Sequence, residues 1–354
     1  MYKTMDYPMI LFDDIGSYPL PQGKDRNWVA ASVKNNDPEF NRVLVDTMHQ
    51  KIEAGVRIPT YPQFQDMNKQ FLDIINNESK TDEPFIVKKE HARIVELDAM
   101  EEVGAGYYNK TGEKLNLRIC VTGPIELYLN QFGGTAYADI LYSFATSIDR
   151  FIANSMENAE HFMISTVSID EPSIGINPQI MFNDSDLIEA LATATQTAAS
   201  GGADVEIHLH SPLQYKLVCD VPSISVIGVE AAANPSYLDL VDKKDLEEYD
   251  KFLRVGVART DIFNMAAALN EKYDTNVWKE PGKLEDITKE METPETVEKR
   301  LEKAYSMFGE RIKYAGPDCG LSSWPTQEIA SCLLRNTGIG IREFLRRNPI
   351  RLLI

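Results

Sequence analysis

The chain has 354 residues, 43% of them hydrophobic, with 18 prolines, 20 glycines and a formal charge of -18. That is the composition of a globular protein with one sizeable core, and no stretch reaches the uninterrupted apolar length that spans a bilayer. The acidic balance excludes nucleic acid as an expected partner, because phosphate backbones are held by clustered Lys and Arg.

Four scattered cysteines argue against a disulfide scaffold and for reduced thiols. The opening "MYKTMDYPMILFDD" lacks an apolar core followed by small residues, so no signal peptide is expected and a cytoplasmic location is. The basic "LLRNTGIGIREFLRRNPIRLLI" reads as an amphipathic last helix with its five arginines on a solvated face.

In chain order, short β-branched runs alternate with segments of helical period. The first strand candidate is "MILFDDIGSYP", ending near Ser17 and followed by a helix from about Asp37 to Ala54. "GVRIPTYPQ" is the second, followed by a helix from about Met67 to Asn77 and a charged helix "EHARIVELDAMEEV". "LNLRICVTGP" precedes the helical "ADILYSFATSIDRFIANSMENA", and "FMISTVSIDEP" precedes "DLIEALATATQTAAS". "DVEIHLH", "SISVIGVEAA", "FLRVGVARTD" and "RIKYAGPDCG" complete the series before a terminal helix opening "TQEIASCLLRN". Eight strand candidates separated mostly by helices predict an α/β fold, a (β/α)8 TIM barrel with N-terminal additions, as one domain over residues 1–354. The competing doubly wound open sheet is weakened because no G-x-G-x-x-G follows the first strand.

In such a barrel the chemistry sits at the carboxyl ends of the strands. Gly16-Ser17, Asp170-Glu171, His208 and His210, Glu230 and Asp318-Cys319-Gly320 all fall there. Each alone has an ordinary structural explanation as a core, cap or surface group. Together, His210, Glu230 and Cys319 are three residue types that bind zinc, and three ligands with an open position make a catalytic arrangement. Period two puts His208 and His210 on one face but roughly 7 Å apart along the strand. One ion is therefore expected to take His210, nearer the mouth, with His208 one layer down.

These residues carry a family resemblance. "IGSYPLP", "QDMN", "TGPIELYL", "SIDEPSIG", "IHLH", "IGVEAA" and "GPDCGL", in that order over nearly the whole chain, resemble the C-terminal catalytic barrel of cobalamin-independent methionine synthase and its short single-barrel relatives. The resemblance implies methyl transfer to homocysteine, hence methionine biosynthesis, with zinc on His210, Glu230 and Cys319. It also implies amino-acid binding by Ile15, Gly16, Ser17 and Asp170, the Asp170 carboxylate pairing with the substrate ammonium. Asp170 and His210 are accordingly the expected catalytic pair.

Three departures stand out. Where the related motif is His-x-Cys, His210 is followed by Ser211-Pro212, and proline binds no metal. Cys219 is a possible replacement thiolate; the other options are three protein ligands, or no zinc at all. A family glutamate that helps hold the substrate amine falls on Tyr61. A family histidine that protonates the leaving folate falls on Phe263, which tilts the expected donor away from folate polyglutamate. Methylcobalamin, delivered free or by a corrinoid protein partner, needs no such proton, and a methyl-pterin such as methyl-tetrahydrofolate stays an option without the polyglutamate tail that the acidic charge disfavours. The alternatives are a corrinoid-dependent thiol methyltransferase of the uroporphyrinogen-decarboxylase-like kind and a zinc-free, non-catalytic binding barrel.

Overall fold

The computed structural model describes residues 10–348. Residues 1–9 of the opening stretch and residues 349–354 of the basic C-terminal stretch, Arg351 among them, lie outside the described residues. The strands are β1 (Leu11–Phe12), β2 (Thr81–Glu83), β3 (Ile86–Val87), β4 (Leu115–Thr122), β5 (Phe162–Asp170), β6 (Asp204–Leu209), β7 (Val226–Val229), β8 (Phe252–Ala258) and β9 (Ile312–Pro317). Seven of them form one sheet in the order β1-β9-β8-β7-β6-β5-β4, parallel throughout, while β2 and β3 pair as a separate antiparallel hairpin. Strands β4, β6 and β8 are buried along nearly their whole length, as expected of a parallel sheet covered on both faces.

The expected second strand is not a strand. Residues 58–63 make only isolated parallel bridges, Asp13 to Ile58 and Ser17 to Gln63 on the β1 side, and Thr60 to Arg118 on the β4 side. Pro59 and Pro62 supply the reason, since neither has an N–H to give to a ladder. The same segment thus touches both edge strands without completing an eighth ladder. The charged segment also differs from its expectation: it opens with a 3-10 turn at Lys89–His91, and the helix runs over Leu97–Thr111.

The sheet curls far enough for its two edges to meet through side chains. Arg118 of β4 donates from Nη1 to Asp13 Oδ2 (2.9 Å), just beyond β1, and from Nη2 to Glu206 Oε1 of β6 (2.9 Å). Arg254 of β8 donates from Nε to both Asp13 oxygens at 3.0 and 3.1 Å. Two guanidiniums and two carboxylates, all at most 1% exposed, therefore balance one another inside the curl. A buried charge without its partner would cost several kcal/mol, so each of these four groups depends on the others staying in place.

Helices cover the outer face. Of the long ones, Pro38–Glu53, Asp184–Ser200, Pro294–Phe308 and Gln327–Arg347 begin at capping side chains, whereas Ala138–Glu157 starts after Tyr137 without one. Asp37 accepts from Glu39 N, Asn183 from Asp186 N and Thr326 from Ile329 N. The last helix buries Leu333, Leu334, Ile341 and Phe344 and turns Arg346 and Arg347 outward. Phe12 and Phe344 belong to one continuous core. Among the described residues no helix is long and apolar enough to cross a membrane.

Candidate metal centre

The carboxyl ends of β6, β7 and β9 bring His208, His210, Glu230 and Cys319 together, with one ligand-type atom from each lying within 4.8 Å of all the others. Cys319 Sγ is 3.6 Å from His208 Nε2 and 4.0 Å from His210 Nε2. Glu230 Oε1 is 3.4 Å from His208 Nε2 and 3.7 Å from His210 Nε2. A tetrahedron built on zinc bonds of about 2.0–2.3 Å has edges of about 3.3–3.6 Å, so the donors sit close to the separation such an ion requires. Glu230 Oε1 is buried and accepts no hydrogen bond, although two imidazoles face it. An orphaned carboxylate oxygen amid nitrogen and sulfur donors fits a divalent cation better than a hydrogen-bond network.

The β6–β7 register explains the convergence. Leu209 pairs with Val229, so the next residues, His210 and Glu230, leave the two strands side by side. Cys319 arrives from the turn after β9, which Asp318 clamps by accepting from Ala232 N (2.9 Å) and Ala233 N (2.7 Å) beyond β7. Asp318 passes so close to β8 that a Cβ on Gly256 would stand 1.8 Å from its Oδ1.

Burial pushes every donor toward its uncharged form. It lowers His208 to about 4; His210 is lowered by burial and then by His208. Glu230 is raised by burial, against the opposing pull of His210, and the Cys319 thiol is raised by burial and by Glu230. A divalent cation would reverse this balance for the carboxyl and the thiol, so its uptake here would be coupled to proton release.

The cluster opens into a cavity of about 580 Å3 lined by Ile15, Ser17, Asp170, His208, His210 and Cys319, among others. Gly16 does not line it; its carbonyl accepts from Lys51 Nζ (3.1 Å) and Gln63 N (3.2 Å). Asp170 accepts from Ser168 Oγ at 2.9 Å, and Cys120 Sγ lies 3.5 Å from both of its carboxylate oxygens. Its neighbour Glu171 faces away and accepts from Ile125 N and Glu126 N at the start of the helix Pro124–Phe132.

Two expectations are corrected. His208 is not one layer below the donors, because spacing along the backbone does not carry to the side-chain tips. The two rings lean together with centroids 5.5 Å apart and planes at 78°. Cys219 is not in the cluster: residues after Pro212 wind into a 3-10 turn and the short helix Tyr215–Cys219, which buries the thiol in the core, where its pKa rises to about 11. Tyr61 is also buried, donating to the Cys120 carbonyl at 2.8 Å. The "QDMN" motif has a position that the sequence left without a role: Gln65 and Met67 line the cavity, and Gln65 Nε2 donates to the fully buried Glu96 at 2.9 Å.

No family model matches the chain, and no curated protein matches it in sequence. Solved structures do match. A B12-independent methionine synthase from Shewanella sp. W3-18-1, in complex with selenomethionine, is similar with a TM-score of 0.61 and 14% identity, over 97% of this chain and 99% of that one. A methyltransferase from Methanosarcina mazei is similar with a TM-score of 0.52 and 12% identity, over 94% of each chain. The protein therefore shares, over nearly its whole length, the fold of a B12-independent methionine synthase and of a second methyltransferase.

Proposed function

We propose that the chain is a single-domain, barrel-type methyltransferase of the cytoplasm, acting over residues 1–354, that moves a methyl group to a zinc-held thiol, homocysteine first, to give methionine. The observation that carries this reading is that His210, Glu230 and Cys319 form one cluster, and that His210 and Cys319 of that cluster line the same cavity as Ser17 and Asp170. A cavity of that size lies within the roughly 300–1,000 Å3 typical of small-molecule pockets. The structural neighbour named for methionine synthesis supports the same substrate class.

His210, Glu230 and Cys319 would hold zinc, which supplies a lowered thiol pKa, so that sulfur is present as thiolate at neutral pH. Asp170, 8% exposed and already bonded to Ser168, offers a carboxylate to the substrate ammonium. Ser17 offers a hydroxyl to the other end of the amino acid. The cavity walls orient the sulfur for in-line attack on the methyl carbon. The carbon–sulfur bond forms as the bond to the donor breaks, and the donor keeps the electron pair.

The donor is a methyl-corrinoid or a methyl-pterin. Phe263, 67% exposed and tilted against Trp278 with ring centroids 5.6 Å apart, has no proton to give a departing folate nitrogen, whereas a corrinoid leaves as Co(I) and needs none. A corrinoid protein as carrier gains no support from either structural neighbour. Two measurements test the reading. Protein purified without added zinc should carry close to one zinc per chain, and Cys319→Ser should carry less than about 0.2. Homocysteine assayed with methylcobalamin and methyl-tetrahydrofolate in parallel should give methionine with at least one; turnover with neither would overturn the homocysteine assignment.

A further inference from the structure

We propose that His208 is a fourth protein ligand, so that the centre holds its metal with two imidazoles, one carboxylate and a single thiolate. This rests on the metal-dependent reading above and specifies its donor set. His208 Nε2 lies nearer to both Cys319 Sγ (3.6 Å) and Glu230 Oε1 (3.4 Å) than His210 Nε2 does. The residue is 3% exposed, and its Nδ1 has no hydrogen-bond partner. A buried structural histidine normally feeds a carbonyl or carboxylate through at least one nitrogen. Here the groups within reach of Nε2 are the other donors of the cluster.

The strand register leaves room for the ring. His208 pairs with Gly228 on β7, and paired positions of neighbouring strands share a face, so no side chain stands beside the imidazole on that flank. The other cysteines do not compete: among the described residues, Cys319 is the one cysteine in the cluster. Charge points the same way. One thiolate and one carboxylate neutralise a divalent cation, and a neutral centre is the least costly one to seat where His208 is almost fully buried.

X-ray absorption at the zinc edge of the wild-type protein is expected to show one sulfur and two imidazoles. Cobalt-loaded protein is expected to show thiolate-to-metal absorption of a single sulfur, rising about twofold in His208→Cys and disappearing in Cys319→Ser. One imidazole, or two sulfurs, in the wild-type centre would overturn the assignment of His208 while leaving the metal-dependent reading intact. A protein that takes up no zinc or cobalt at all would overturn that reading, and this inference with it. The wild-type spectrum decides the matter even where the buried substitution prevents folding.

Discussion

Asp170 ends β5 with its carboxylate held between Ser168 Oγ and the Cys120 thiol, so its orientation is set before any substrate arrives. Asp170→Asn is expected to lose a charge-assisted contact of about 1.5–3 kcal/mol, a roughly 10–150-fold fall in kcat/KM for the amino acid, with bound zinc unchanged. Steady-state kinetics beside metal analysis checks this; equal loss of zinc would mean that Asp170 supports the metal rather than the substrate. Cys219→Ser is expected to leave zinc per chain at the wild-type level, because the thiol lies in the core. A fall to the Cys319→Ser level would return Cys219 to the centre.

At the scale of elements, the site depends on how the turns after β7 and β9 are tied. The Asp318 carboxylate joins them through the Ala232 and Ala233 amides, and Gly256 on β8 is the gap through which it passes. Gly256→Ala is expected to force that clamp apart, costing about 1–3 kcal/mol in urea unfolding and weakening zinc affinity about tenfold or more. Unchanged affinity would show that Cys319 keeps its place without the clamp. Residues 58–63 illustrate the opposite case, an element whose irregularity was readable in "RIPTYPQ". The pair of prolines, Pro59 and Pro62, that weakens the ladder is local chemistry, and the period of apolar residues alone misses it.

Over the whole molecule, acids buried without full pairing make stability depend on pH. Glu96 is fully buried, and burial raises its pKa from 4.5 to about 7 against the opposing bond from Gln65. Between those values the folded chain keeps a proton that the unfolded chain has released, so this group's contribution falls as pH rises through the window. Glu96→Gln is expected to gain on the order of 3 kcal/mol at pH 8 and nothing at pH 4.5. Denaturant titrations at the two pH values test the sign, and a variant less stable at pH 8 would contradict it.

Taken alone, the sequence determined the succession of parallel strands, the long helices between them, and which strand ends carry His210, Glu230, Cys319 and Asp170. All of these follow from local periods and turn chemistry. The tertiary structure decided that His208 lies within the cluster and Cys219 outside it, that Gly16 spends its carbonyl on Lys51 and Gln63, and that Arg118 meets Asp13 from the opposite edge of the sheet. These outcomes depend on how far the sheet curls and on where side-chain tips end across neighbouring strands. A backbone period fixes the face a residue occupies, but distances between tips come from register and curvature, which no local stretch encodes.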